Sequence, residues 1–314
     1  MISAAIIDIF TQMGIVVLLC IGFTFTYEIE EFPNFSHVSF ALIGTAIAFD
    51  MTKLMGFNPY LSIPVSAFFC GIIGIGFYLF IVHVIKRRRN GNIALTIAFY
   101  ALAIVLETLV GIFSYWVVVT RHETTRGFII KSSDFSFYGY PGVSIVTSLS
   151  CVLIITLLYY MLTRTRLGLS LRAVSENEDL SAVYGINTLR IHMVSWFIIG
   201  ALVGTAGSLI PLWKAASSGL VENLLVSVMA GCIIGGLDNI FGSVVGGVLI
   251  TLFQRGLIYL LMNFKTGGEP LLTEFSNLLR GFEQLIPIIL IFVILMVAPE
   301  GLLKYVTSIK RRYL

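Results

Sequence analysis

Two polar interruptions in an otherwise apolar chain carry side chains that can do chemistry. The stretch "EFPNFSHVSF" (31–40) places Asn34 and His37 behind Pro33, and "GCIIGGLDNIFGSVVGG" (231–247) places Asp238 and Asn239 between two Gly-rich apolar pieces. Amide, imidazole and carboxylate groups at such breaks are the ones that hold a polar solute or relay a proton inside a bilayer. Irregular backbone at membrane depth persists only where it is buried in protein or lines water. Paired broken segments in the two halves of a transporter mark its binding path. Asn34, His37, Asp238 and Asn239 are therefore candidate substrate-path residues. For the first break, an interfacial turn in which His37 satisfies backbone groups freed by Pro33 is an equal alternative.

Glu107 and Arg255 are the clearest charges inside apolar runs. They fall about 14 and 15 residues from the same end of their segments, which at about 1.5 Å per residue places them at similar depth. A structural ion pair between them is expected, since either charge alone would be costly. His37, His83, His122 and His192 show no HxxxH or HExxH spacing, so no metal site is expected. Cys20, Cys70, Cys151 and Cys232 lack CxxC spacing and read as small core residues. No Ser/His/Asp or Cys/His pairing and no GxxxxGK[ST] phosphate loop is visible, so neither catalysis nor a bound cofactor is expected of this chain.

The elements that position these groups follow from composition. Of 314 residues, 57% are hydrophobic and 12% charged, and mean hydropathy is +0.95; soluble domains carry about 25% charged residues. Repeated apolar stretches of about 20 residues fit helices crossing a bilayer. A stretch such as "IPIILIFVILMVAP" lacks the alternation of a β-barrel. The expected fold is an all-α, polytopic transmembrane bundle forming one domain over 1–314. Its spans are expected near 3–27, 35–52, 60–84, 93–118, 142–162, 191–212, 222–237, 240–262 and 283–299. No cleaved signal peptide is expected.

Lys86 to Arg89, then Arg164, Arg166, Arg172 and Arg190, then Lys304, Lys310, Arg311 and Arg312 make 12 of the 20 Lys and Arg residues. They flank alternate connections, which the positive-inside rule assigns to the cytoplasm together with the C-terminus of a cell-membrane protein. Segments 119–141 and 263–282 are then external, with short helices on the membrane surface. The formal charge of +3 suggests no nucleic-acid partner. Gly200, Gly204 and Ser208, Gly231 with Gly235, and Gly242 with Gly246 recur every fourth residue, spacing that lets helices approach closely in lipid.

The polar segment 163–190, "TRTRLGLSLRAVSENEDLSAVYGINTLR", is the exception to this greasy pattern. Ser175 with Glu178 reads as a capping box for a helix over about 176–184, and Gly185 as its stop. Asn187 can cap the following span. Leu180, Val183 and Tyr184 share one face. This is either a docking helix or a solvated connector.

"LGLSLRAVSENEDLSAVYGINTLRIHMVSWFIIGALVGTAGSL" resembles the coupling region of the permease subunits of branched-chain amino-acid ABC importers, with matches at Gly168, Arg172, Ala173, Glu178, Asp179, Ala182, Gly185, Ile186, Gly204 and Gly207. "NFSH" (34–37), "GGLDNIFGSVVGGVLI" and "APEGLL" (298–303) resemble further family motifs in order, although Val38 and Asp238 stand where Gly is usual and Ala298 where Arg is. The resemblance implies a permease subunit working with a second permease, two ATP-binding cassette subunits that bind the ATP, and an extracytoplasmic substrate-binding protein. It assigns Arg172, Ala173, Glu178, Asp179, Leu180, Val183, Tyr184 and Gly185 to ATPase coupling. Solutes served by similar permeases include leucine, isoleucine and valine, or urea and short amides. A stand-alone carrier or channel using Glu107, His37 or Asp238 as an ion relay is the alternative from another class.

Overall fold

The computed structural model describes residues 2–88, 91–256 and 285–298. Its helices are α1 (Ile2–Glu30), α2 (His37–Phe49), α3 (Ser62–Phe77), α4 (His83–Arg87), α5 (Asn92–Arg121) and α6 (Gly142–Arg164). They continue with α7 (Arg166–Glu176), α8 (Glu178–Val183), α9 (Thr188–Trp213), α10 (Ser218–Gly235), α11 (Ile240–Thr251) and α12 (Leu285–Val297). Wide π-helical turns over Asp50–Leu54, Tyr78–Val82 and Leu252–Gly256 extend α2, join α3 to α4 and extend α11. Five segments are long and apolar enough to cross a membrane: Ile6–Glu30, Pro59–Arg87, Asn92–Arg121, Gly142–Arg164 and Thr188–Trp213. Shorter apolar helices lie at Gly219–Gly235, Ile240–Gly256 and Leu285–Met296. The expected segment 263–282, the basic residues Arg89, Lys304, Lys310, Arg311 and Arg312, and residues 299–303 of the "APEGLL" motif lie outside the described residues.

Helices α1 and α9 run antiparallel through the core. Trp213, ending α9, donates to Asp8 near the start of α1 at 2.6 Å, while Trp196 near the start of α9 donates to Glu30 at 2.8 Å. Close packing around α9 depends on missing side chains. A Cβ on Gly200 would strike the Cys70 carbonyl of α3, one on Gly204 the Ser66 carbonyl, and one on Gly207 the Ala41 carbonyl of α2. Gly231, Gly235, Gly242 and Gly246 likewise seat α10 on α11. The fourth-residue spacing thus marks real contacts, although Gly207 rather than Ser208 is the third contact on α9. The four cysteines are reduced and buried.

The break at 31–36 is no interfacial turn. Glu31 leaves α1 with φ +58, and the chain doubles back so that α2 starts against the middle of α1. His37 Nε2 lies 3.0 Å from the Leu19 carbonyl, 11 residues and about 16 Å before Glu30 at 1.5 Å per residue. Helix α2 is therefore a half-helix whose N-terminus is buried at mid-depth.

Segment 119–141 differs from the expected surface helices. After α5 it forms single 3-10 turns at Arg126–Phe128 and Lys131–Ser133, then a small hairpin of β1 (Ser136–Phe137) and β2 (Tyr140–Pro141). Positive φ at His122, Gly127, Phe128, Tyr138 and Gly139 prevents a helix from continuing, and the consecutive pair at 138–139 is the geometry of a two-residue hairpin turn. Asp134 pins the segment by accepting from the Tyr60 hydroxyl and from the Val143 N–H at 3.2 Å.

Candidate functional site

At the end of the molecule where α1 finishes and α9 begins, the polar segment folds as two short helices. Thr165 caps α7, and Leu171 and Val174 bury its apolar stripe against the spans. The cap of the next helix is Asn177, whose side chain accepts from the Leu180 N–H at 2.9 Å. Ser175 sits inside α7 and donates to the Arg172 carbonyl at 3.0 Å, so the expected capping box is not formed. The reason is that Leu171 and Val174 hold the preceding turn helical, and Asn177, with extended backbone, is the first residue free to cap. Gly185 ends α8 at φ +84, the left-handed stop read from sequence, and Asn187 caps α9 through the Arg190 N–H at 3.1 Å.

Leu180, Val183 and Tyr184 are 53%, 82% and 79% exposed, an apolar patch on a short polar-flanked helix. Such a patch in contact with water marks an interaction surface. Ala173 is half-buried on α7 and Asp179 exposed on α8. Arg172 faces an open polar cleft of about 660 Å³, lined also by Tyr27, Glu28, Glu31, Asn92 and Asp238.

The four path residues separate into two groups. Asn34 and His37 are buried at the mid-depth start of α2: Asn34 accepts from the Ser36 N–H at 3.1 Å and hydroxyl at 2.8 Å, closing the local turn. Asp238 and Asn239 are exposed at the α7–α8 end, where Asn239 caps α11 through the Phe241 and Gly242 N–H groups. The structure therefore brings Asp238 to Arg172 of the coupling segment and not to His37.

Glu107 and Arg255 do not pair with each other. Glu107 accepts from the Ser39 hydroxyl at 2.8 Å, and Arg255 Nε donates to Gln12 at 2.5 Å. Ser39 lies in the first turn of α2, so the Glu107 carboxylate sits where a buried helix N-terminus favours negative charge. Spacing along each helix does not decide partners, because it does not fix the azimuth of one helix relative to another.

An ion cluster centred on the buried Glu30 and His192, with Lys86 and Glu178 at its partly exposed edge, lies beneath α8 and is absent from the site read from the sequence. Glu30 Oε2 is 2.6 Å from Lys86 Nζ; Glu30 Oε1 takes His192 Nδ1 and Trp196 Nε1, both at 2.8 Å. His192 Nε2 is 3.3 Å from Glu178 Oε1, and Tyr78 stacks on the ring at 5.1 Å. The His192 N–H facing Glu178 holds that carboxyl below the usual carboxylate range. The available signals were Glu30 at the end of an apolar span and the His192–Trp196 spacing of four on one helix face. Among the described residues no group of three His, Cys, Asp or Glu side chains is arranged to hold a metal.

Helices long and apolar enough to cross a membrane, a half-helix that starts inside the bundle and an exposed apolar patch at one polar end characterise a helical membrane protein. The model for the branched-chain amino acid transport system / permease component family matches residues 5–297. A probable branched-chain amino acid transport permease protein LivH of Methanocaldococcus jannaschii is 32% identical over 290 residues, 92% of this chain and 88% of its own. The high-affinity LivH permease of Salmonella typhimurium is 23% identical over 303 residues, 91% and 90% of the two chains. A tyrosine transport system permease protein of Clostridioides difficile is 24% identical over 257 residues, 80% and 75% of the two chains. No solved structure matches. The chain belongs to the branched-chain amino acid ABC transporter permease family.

Proposed function

We propose that this chain forms, with a second permease, the solute path of an ATP-driven importer for branched-chain amino acids in the cell membrane. The observation that carries the reading is the exposed patch of Leu180, Val183 and Tyr184 on α8, which suits an apolar groove on an ATPase subunit. Arg172, Ala173, Glu178 and Asp179 form its rim, and Gly185 turns the chain from docking helix to span. ATP binds the two partner ATPases, none binds this chain, and an extracytoplasmic binding protein delivers the solute. Lys86, Arg87, Arg88, Arg164, Arg166, Arg172 and Arg190 gather at the α7–α8 end, supporting a cytoplasmic location for it and for the C-terminus.

In this reading Asp238, with Arg172, lines the inner mouth of the path and Asn239 holds the turn that shapes it. Asn34 and His37 brace the start of α2 from behind. The relatives' names support amino acids as the solute class, with leucine, isoleucine and valine ahead of tyrosine.

The test is uptake in liposomes by the complete assembly and by this chain alone, against leucine, isoleucine, valine, tyrosine and urea. The assembly should accumulate branched-chain amino acids only with ATP and the binding protein, and the chain alone should do nothing. Val183→Asp, which buries an unpaired charge at the docking surface, should prevent ATPase co-purification while leaving the permease folded. Gradient-driven uptake by the chain alone would overturn the reading.

A further inference from the structure

Helix α8 is six residues long and presents its large apolar side chains outward. Its backbone link to α9 passes through Gly185, at φ +84 with open space on its Cβ side. A swing of α8 would be absorbed at that point unless something else ties the helix to the spans. Among the described residues, the ion partner of an α8 side chain on a spanning helix is His192, facing Glu178 at 3.3 Å.

The far side of the same ring is fixed more firmly. Nδ1 lies 2.8 Å from Glu30 of α1, and Glu30 is held in turn by Trp196 of α9 and Lys86 of α4. Tyr78 stacks on the ring, within 5° of parallel, and restrains it from tilting. Nδ1 hydrogen-bonds Glu30, while Nε2 faces Glu178 at 3.3 Å as an ion-pair contact outside hydrogen-bond geometry; a ring carrying N–H at both positions, the imidazolium, suits two facing carboxylates. Two carboxylates then balance the imidazolium and the ammonium. Moving Glu178 away would leave the imidazolium with less compensation at a site only 2% exposed, which is costly. The ring therefore resists separation from α8.

We propose that Glu178 and His192 are positioning residues that transmit displacement of α8 to α1 and α9 through the Glu178–His192–Glu30 relay. The inference rests on α8 being the ATPase docking element. Docking force enters at Leu180, Val183 and Tyr184, crosses the imidazolium, and reaches α1 at Glu30, one residue before the chain turns back toward α2. The relay bypasses the Gly185 hinge.

The test compares wild type, Glu178→Gln, His192→Gln and Glu123→Gln in complete assemblies matched for ATPase content. Glu123 is exposed beyond the end of α5, away from the α7–α8 end, and provides a charge-matched control. In Glu178→Gln the solute moved per ATP hydrolysed should fall about tenfold, the scale of a typical coupling free energy. His192→Gln should behave alike, and Glu123→Gln should match wild type. Unchanged solute per ATP in Glu178→Gln would overturn the proposal. If wild type itself shows no ATP-driven uptake, the importer reading fails instead. Amide hydrogen exchange on the purified chain then decides the tether: faster exchange over 178–186 in Glu178→Gln than in Glu123→Gln supports it, and equal exchange overturns it.

Discussion

Helices α1 and α9 are as apolar by composition as α5 and α6, yet their surroundings are opposite. The most apolar windows of α1 and α9 are 67% and 72% buried within the chain, against 28% and 17% for α5 and α6. Hydropathy separates membrane from water and cannot rank helices that all lie in hydrocarbon. What places α9 at the centre is its small residues, which admit the α2 and α3 backbones, and its polar side chains, which find partners on α1. Helices α5 and α6 turn bulky residues such as Tyr115, Leu149 and Leu153 outward.

The largest test of this contrast is charge removal. Glu30→Ala leaves the buried His192 without its Nδ1 partner, frees the partly exposed Lys86 and should cost about 3–5 kcal/mol. Glu107→Gln, on the peripheral helix, keeps an acceptor for Ser39 and should cost less than about 1 kcal/mol. Denaturant unfolding of the detergent-purified chain measures both, and equal losses would break the contrast.

Side-chain insertion gives the next effect. Gly204→Leu must displace the Ser66 carbonyl and should cost about 1–3 kcal/mol, whereas Gly111→Leu on α5 meets open space and should change stability by less than about 0.5 kcal/mol. A smaller signal concerns Glu107 and Arg255, which serve different partners. Their neutral replacements should add within about 0.5 kcal/mol in a double-mutant cycle, and a strong coupling would show that the two charges meet.

The smallest effect is on pH. Because the folded carboxyl of Glu178 titrates below its unfolded value, its link to His192 is complete above the unfolded value and lost as pH falls through the folded one. Exchange protection over 178–186, corrected for intrinsic rates, should hold through neutral pH and drop only on acidification below the ordinary carboxylate range. Loss of protection on raising the pH through neutrality would assign the link to another group.

Much of the local structure was legible. The segment expected at 191–212 is Thr188–Trp213, and Gly185 and Asn187 stop and start helices as their chemistry requires. These are one-dimensional properties, set by apolar length and by a side chain acting on backbone within three or four residues. Ser175 and Asn177, two residues apart, can both cap by their chemistry, and burial of the preceding turn selects Asn177. The hairpin at 136–141 is not legible in the sequence because the two-residue turn imposes positive φ on the exposed Tyr138, and burial accompanies it at Phe128; neither is a preference of those residue types.

By itself, the sequence determined that the chain is a helical membrane protein, where its five long apolar helices run and which segment is polar enough to meet a soluble partner. These follow from transfer free energies and local hydrogen bonding, which depend on composition and near neighbours. Only the tertiary structure decided that α2 begins at mid-depth against Leu19, that Glu107 serves Ser39 rather than Arg255, and that Glu30, Lys86, Glu178 and His192 form one cluster. Those pairings depend on the rotation of each helix about its axis, and that rotation is set by contacts among residues up to 243 positions apart in the chain.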